Sequence, residues 1–334
     1  MKKILFLSFV FYSTIIGVGF ATGAEIMIYF TQYGIFGLVG LLLSCVLMAV
    51  CGAYCMKPMN RKQSIICAVF CYIQYVAVLA ASSDICSSLI CDMFGTNENK
   101  IFYTYCRISI SLIFTILSFV VLVRGFSTLV NIIGYVTPLA ATALIIFVTI
   151  AAMLNDGKSI VAYDDRFSPE IIYKGVLYAG YNVLGSSAIL SRMNEYTETK
   201  RNRVLGSIFG ILIFFISAVC VFVSQIIYTK SNLMQVKMPS VEIVSSLGLW
   251  AKVLYVITLI VIMNLTMFSG LSGTCGMIYK ENTRSERRMG WILALLAIPL
   301  SFVGFTKIIA FVYPVFGIIA PFVLFSENSR RSLA

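Results

Sequence analysis

Gly17-Val18-Gly19-Phe20-Ala21-Thr22-Gly23-Ala24-Glu25 is the stretch on which the reading of this chain turns. It interrupts the first apolar run, Ile4 to Tyr33, which is long enough to cross a bilayer. Each glycine weakens a helix interior by about 1 kcal/mol relative to alanine. A carboxylate follows near the middle of a membrane-length segment, where a charge is costly and usually functional. The stretch therefore predicts a spanning helix that unwinds at its centre, its released backbone groups lining a cavity, because irregular backbone at membrane depth survives only where it is buried in protein or faces a solute.

Working outward, the composition agrees with a membrane-embedded chain. Of 334 residues, 60% are hydrophobic and 12% charged, against about 45–50% and about 25% in soluble domains. The mean hydropathy is +0.94. Met1-Lys2-Lys3 before an apolar run resembles a signal peptide, but the run exceeds an h-region and shows no small-residue cleavage site, so it reads as the first span. The net charge of +11 does not point to nucleic acid. Its basic residues sit in short connections between apolar runs, which is an orientation signal. The chain has no histidine, which removes His-based triads, His metal sites and His proton relays, and argues against an enzyme.

Ten apolar segments are expected, at roughly 4–33, 34–56, 63–94, 101–123, 126–154, 170–191, 204–228, 249–280, 289–304 and 306–326. Residues 240–248 are too short to span and predict a surface or re-entrant helix. Lys57, Arg61, Lys62, Arg124, Arg192, Lys200, Arg201, Arg203, Lys280, Arg284, Arg287, Arg288, Arg330 and Arg331 fall in the tail and in loops on one side. Glu98, Asp156, Asp164, Asp165 and Glu170 fall on the other. The pattern places both termini in the cytoplasm of a multi-pass plasma-membrane protein.

An internal repeat sets the architecture. Ile132-Ile133-Gly134-Tyr135-Val136-Thr137-Pro138-Leu139 reads against Ile308-Ile309-Ala310-Phe311-Val312-Tyr313-Pro314-Val315, with Gly125-Phe126 and Gly304-Phe305 upstream. The copies lie five spans apart and so cross in opposite directions, which makes residues 1–154 and 155–334 two inverted five-helix repeats. The alternative is coincidence among Ile, Val and Pro. If the first segment is broken, the sixth should be too. Leu177-Tyr178-Ala179-Gly180-Tyr181-Asn182-Val183-Leu184-Gly185-Ser186-Ser187 supplies the glycines and polar residues for that second break. The expected fold is all-α and integral to the membrane, with ten transmembrane helices of which the first and sixth are broken at mid-membrane.

Glu25 is a candidate to ligate a cation, carry a coupled proton or meet a substrate amine; equally, it caps the resumed half-helix. Asp84 beside Ser82 and Ser83 is a second proton candidate, or a residue of the wet outer vestibule. Ser269, Ser272 and Thr274, with a carbonyl from Gly17, form a candidate Na⁺ cage of hard oxygen donors, or a stripe of small residues for helix packing. Gly17, Gly19, Phe20, Thr22, Gly23, Glu25, Tyr178, Tyr181 and Asn182 are the candidate substrate-binding residues. Cys51, Cys55, Cys67 and Cys71 stand at i, i+4 spacings around one hairpin: a thiolate metal site, or small apolar fillers. Arg107 reads as snorkelling to the surface and Arg192 to Arg203 as a solvated loop.

The first stretch resembles the Gly-x-Gly-Phe-Ala-Ser-Gly-x-Glu stretch of YkvI-type membrane proteins, with Thr22 in place of Ser. Tyr178, Tyr181 and Asn182, and Tyr313, Pro314 and Gly317, look similar as well. These proteins are predicted members of the amino acid–polyamine–organocation superfamily, with the leucine-transporter fold. The resemblance implies a substrate site between segments one and six and an ion site between segments one and eight. Ser269-Gly270-Leu271-Ser272-Gly273-Thr274 looks like the ion-binding Ala-Gly-Leu-Thr-Ser-Ser pattern of sodium-coupled members, but Gly273 stands where a second hydroxyl is expected, which leaves proton coupling open. The expectation is an ion-coupled carrier (a symporter using Na⁺ or H⁺) for a small amino-acid- or amine-like solute, in contact with membrane lipid and no nucleic acid. The alternative is a nutrient or germinant receptor subunit of the same fold.

Overall fold

The computed structural model describes residues 1–96, 99–154, 167–228 and 233–324. Glu98, Asp156, Asp164, Asp165, Arg330 and Arg331 lie outside the described residues. In order the helices are α1 (Lys2–Ile15), α2 (Val18–Ala21), α3 (Ala24–Tyr29), α4 (Gly37–Cys55), α5 (Arg61–Phe94), α6 (Lys100–Arg124), α7 (Phe126–Met153), α8 (Pro169–Leu190), α9 (Asn194–Thr197), α10 (Lys200–Ile227), α11 (Pro239–Ser245), α12 (Leu249–Ile278), α13 (Arg284–Ser301) and α14 (Phe305–Leu324). Short 3₁₀ turns cover Thr31–Phe36 and Leu233–Gln235. Among the described residues, six helical stretches are long and apolar enough to cross a membrane: Thr31–Cys55, Arg61–Cys91, Lys100–Arg124, Phe126–Met153, Lys200–Ile227 and Leu249–Ile278.

Local chemistry sets the boundaries. Asn60 and Gln63 cap the start of α5 reciprocally, each side chain accepting from the other's backbone N–H at 2.9–3.0 Å. Asn99, Ser168, Thr199 and Thr283 cap α6, α8, α10 and α13 through their side-chain oxygens. Gly125 (φ 92°) and Gly304 (φ 95°) precede α7 and α14 in the left-handed region, which a side chain disfavours. They are the glycines of the two Gly-Phe pairs.

The burial pattern suits an apolar solvent. Leu42, Val46, Ile113, Leu139, Ile216 and Phe322 are exposed on the helix surfaces, whereas Ser44, Ser82, Ser111, Thr115, Ser118 and Ser207 are buried between helices. Small buried residues let helices approach closely where lipid supplies no hydrophobic drive. Packing joins α5 to α12, α4 to α8, α1 to α10 and α7, and α14 to α8.

The expected break in segment six is absent. α8 runs uninterrupted from Pro169 to Leu190. Its polar side chains bond back onto their own helix: Asn182 Nδ2 donates to Tyr178 O at 2.9 Å, Ser186 Oγ to Asn182 O at 2.8 Å and Ser187 Oγ to Leu184 O at 2.5 Å. Its glycines serve approach, not unwinding. A Cβ on Gly180 would strike the carbonyl of Gly317 in α14, and one on Gly175 would lie 2.7 Å from the carbonyl of Gly40 in α4.

Candidate functional site

The first segment does leave helical geometry. α1 ends at Ile15; Ile16 is extended (φ −71°, ψ 96°) and so is Gly17 (φ −111°, ψ −173°). A single turn, α2, follows, and Gly23 at φ 75° redirects the chain into α3. The carbonyls that close this turn are taken up by neighbouring elements. Tyr255 of α12 donates to Ala21 O at 2.7 Å, the Ser240 N–H of α11 to Thr22 O at 3.0 Å and Gln225 of α10 to Gly23 O at 2.8 Å. On the α1 side the last carbonyls and the first N–H groups of α2 have no intrahelical partner, and Ser13, Thr14, Ile15, Gly17 and Val18 line a cavity there.

Glu25 closes that cavity. It lies in the first turn of α3, 4% exposed, and its side chain folds back over Gly19, where any Cβ would overlap the carboxylate. The hydroxyls of Tyr178 and Tyr181 are turned toward this carboxylate, yet neither closes a hydrogen bond with a protein atom. The ion pairs among the described residues join Arg107 to Asp84, Lys174 to Glu170 and Arg192 to Glu281. Glu25 is in none of them. The site is thus a buried carboxylate without a cation partner, faced by unsatisfied phenol hydroxyls.

Gln74, Tyr181, Asn182, Thr266, Ser269 and Tyr313 complete the lining. The cavity measures about 30 Å³, room for about two water-sized bodies and far below the ~300 Å³ of a drug-sized site. A larger space of about 380 Å³, bordered by Met27, Tyr29, Lys174, Lys237, Phe305 and Pro314, lies on the other side of an aromatic layer. That layer is Tyr29 against Tyr178 (5.4 Å between ring centroids) and Tyr181 (5.7 Å), with Tyr181 against Tyr313 (5.0 Å).

Of the candidate residues, Gly17, Glu25, Tyr181 and Asn182 meet at the cavity. Gly19 lies beneath the Glu25 side chain. Phe20 instead packs on Phe214, 5.5 Å between centroids. The Thr22 hydroxyl donates to Val18 O, Gly23 is the left-handed joint, and Tyr178 packs edge-on against Phe30. The proposed Na⁺ set is divided. Ser269 lines the cavity with Gly17, but Ser272 and Thr274 are not among its lining residues. At about 100° per residue they stand about 120° and 80° from Thr266, on which the cavity face of α12 is centred. Thr274 Oγ1 donates to Gly270 O at 2.7 Å and Ala68 O at 3.3 Å. Thr266 belongs to the cavity in their place.

Asp84 is also placed elsewhere. It accepts from Tyr103 and stands 3.9 Å from Arg107, which also donates to Ser301 O at 3.0 Å and lies over the Phe302 ring. Arg107 is therefore held by protein and does not snorkel. Arg192 departs from the solvated loop as well. Its guanidinium covers Phe126 at 4.1 Å, donates to Ser272 O at 3.2 Å and pairs with Glu281 at 3.8 Å, in space left by Gly276. All ten cysteines are free thiols. No three His, Cys, Asp or Glu side chains among the described residues stand close enough to hold a metal. Gln74, Ser13 and Thr14 escaped the sequence reading; a lone glutamine within the apolar run of α5 was the one available signal.

The all-helical bundle, with its first apolar segment unwound beside a buried carboxylate, has a fold that is also found in a solved transporter. The chain superposes on Mhp1, a nucleobase-cation-symport-1 family transporter solved in a closed conformation with bromovinylhydantoin bound, with TM-score 0.53 and 10% identity, over 96% of this chain and 75% of Mhp1. In sequence it is similar to the uncharacterized membrane protein YkvI of Bacillus subtilis (strain 168), 23% identical over 331 residues, which cover 94% of this chain and 92% of YkvI. No family model matches the chain.

Proposed function

We propose that this protein is an ion-coupled secondary transporter of a small amino-acid- or amine-like solute, working by alternating access in the plasma membrane. Ten spans form two inverted repeats, 1–154 and 155–334, with both termini cytoplasmic. The matching left-handed glycines before α7 and α14, and the direct packing of α5 on α12, support the repeat. The basic connections support the orientation. The solute binds between the interrupted first segment and α8, and Na⁺ or H⁺ is the coupling ion. The oxygen atoms of Thr266, Ser269 and Glu25 suit either.

The observation that carries this reading is the Glu25 carboxylate, buried at a gap in the backbone with the unpartnered hydroxyl of Tyr181 beside it. An ionisable group at membrane depth with no protein partner, beside open peptide groups and a small cavity, is the arrangement of a carrier's binding site. The cavity is too small for an amino acid, so binding requires movement of Tyr181 or Glu25. The test is a thermal-shift screen of amino acids and amines in Na⁺ and in K⁺ at two pH values, because a ligand of the folded state raises apparent stability. Stabilising solutes then go into counterflow assays in proteoliposomes. Binding with exchange across the membrane is the expected result; binding without it identifies a receptor.

A further inference from the structure

We propose that Glu25 is a single exchange point for a proton and an organic ammonium ion, so that each cycle swaps one small primary amine for one proton. This rests on the transporter reading above and adds the substrate class and the sense of coupling. Three features of the site lead there.

Among the described residues, Glu25 is the only carboxylate lining the cavity, and no lysine or arginine lines it. A buried carboxyl group is either protonated or paired with a cation, because an uncompensated charge in a low-dielectric site is costly. The groups facing Glu25 supply none: Tyr29 on its own helix, Tyr178 and Tyr181 on α8, Tyr313 on α14 and Cys71 on α5, with Cys45 of α4 behind Tyr178. α1 and α12 contribute only hydroxyls, from Ser13, Thr14, Thr266 and Ser269. Lys174 stands beyond the Tyr29 ring, 5.7 Å from its centroid, and pairs with Glu170. Whatever neutralises Glu25, a proton or an organic cation, therefore comes from outside the protein.

The aromatic layer is suited to an ammonium group, since tyrosine rings attract cations through their faces. No cationic side chain lines the cavity to pair with a substrate carboxylate. α2 is four residues long, too short for its end to act as an anion site, and the first turn of α3 is already occupied by Glu25. Because Glu25 is the single carboxylate among the described lining residues, a proton and an ammonium group compete for it.

The cycle balances. On one face the carboxyl O–H bond breaks, its proton passes to water, and the ammonium N–H donates to the carboxylate. On the other face the amine leaves still protonated and the carboxylate takes a proton from water. One positive charge crosses in each direction. The result is exchange, not symport.

The test is direct. Purified protein in weakly buffered detergent is titrated with a series of primary amines from ethylamine to phenethylamine, and with leucine. At pH values where the free Glu25 is protonated, expected are release of about one proton per amine bound and amine affinity falling about tenfold per pH unit of acidification. Glu25→Gln should bind at least 100-fold more weakly without proton release, and Glu25→Asp should retain both properties in part. The pH dependence of the wild-type protein needs no variant, so a Glu25→Gln protein that does not fold leaves the test intact. Amine binding that is independent of pH, or a series in which no amine binds, overturns the proposal. Counterflow of leucine by the same preparation would then leave the transporter reading standing while removing exchange at Glu25.

Discussion

Replacing Gly19 by alanine separates what the glycines of the first segment do. A Cβ at Gly19 overlaps the Cγ, Cδ and Oε1 atoms of Glu25. Overpacking of this kind costs about 1–3 kcal/mol. Alanine's better helix propensity returns about 1 kcal/mol, so the net loss is up to about 2 kcal/mol. The alternative is for the Glu25 side chain to swing away, which removes the carboxylate from the cavity. Gly17 is the control. Its Cβ would meet only Thr266 Cγ2, at 3.9 Å, and its φ of −111° accepts any residue. Gly17→Ala is therefore neutral in stability, within about 0.5 kcal/mol, although the added methyl narrows the cavity. Unfolding followed in detergent at one scan rate should place Gly19→Ala about 2–4 °C below wild type and Gly17→Ala at wild type, while both lose solute binding. Equal destabilisation by the two substitutions, or a Gly19→Ala protein with wild-type melting and transport, would refute the placement of Glu25 over Gly19.

Tyr255→Phe removes the donor to Ala21 O and should lower stability by about 0.6–1.7 kcal/mol, the range for polar contacts between membrane helices; hydrogen exchange confined to residues 18–24 should quicken with it. Gly180→Ala drives a methyl into the backbone of Gly317 and should cost about 1–3 kcal/mol in melting experiments; stability at or above wild type would contradict the close α8–α14 approach. Asp84→Asn should lower the melting temperature and leave the pH profile of transport unchanged, because Asp84 is engaged by Tyr103 and Arg107 and is not on the cavity.

The helices were legible in the sequence because apolar runs of membrane length have few other uses; six of the expected runs hold helices long and apolar enough to cross a membrane. The interruption around Gly17 to Gly23 was also legible, since three glycines and a carboxylate conflict with a continuous apolar helix. The same logic failed at Leu177 to Ser187. A glycine that unwinds a helix and one that admits a neighbouring backbone look alike in one sequence, and the partner of Gly180 is Gly317, 137 positions further on. Serine and asparagine likewise satisfied themselves on their own helix turn, which no pattern of types distinguishes from lining a pore. Asp84 and Arg107 were each visible, but their pairing depends on how α5 and α6 pack. The α12 hydroxyls were visible as a group, whereas the face turned to Gly17 is fixed by the rotation of the helix, which selects Thr266 and Ser269 over Ser272 and Thr274.

The account depends on the interrupted first segment and Glu25 forming the place where solute is carried. Counterflow of a stabilising solute into proteoliposomes, measured for wild type and for a Glu25→Gln protein with wild-type melting behaviour, tests this most directly. Wild type should accumulate labelled solute transiently above equilibrium and Glu25→Gln should not exceed protein-free vesicles; counterflow by Glu25→Gln at the wild-type rate would contradict it.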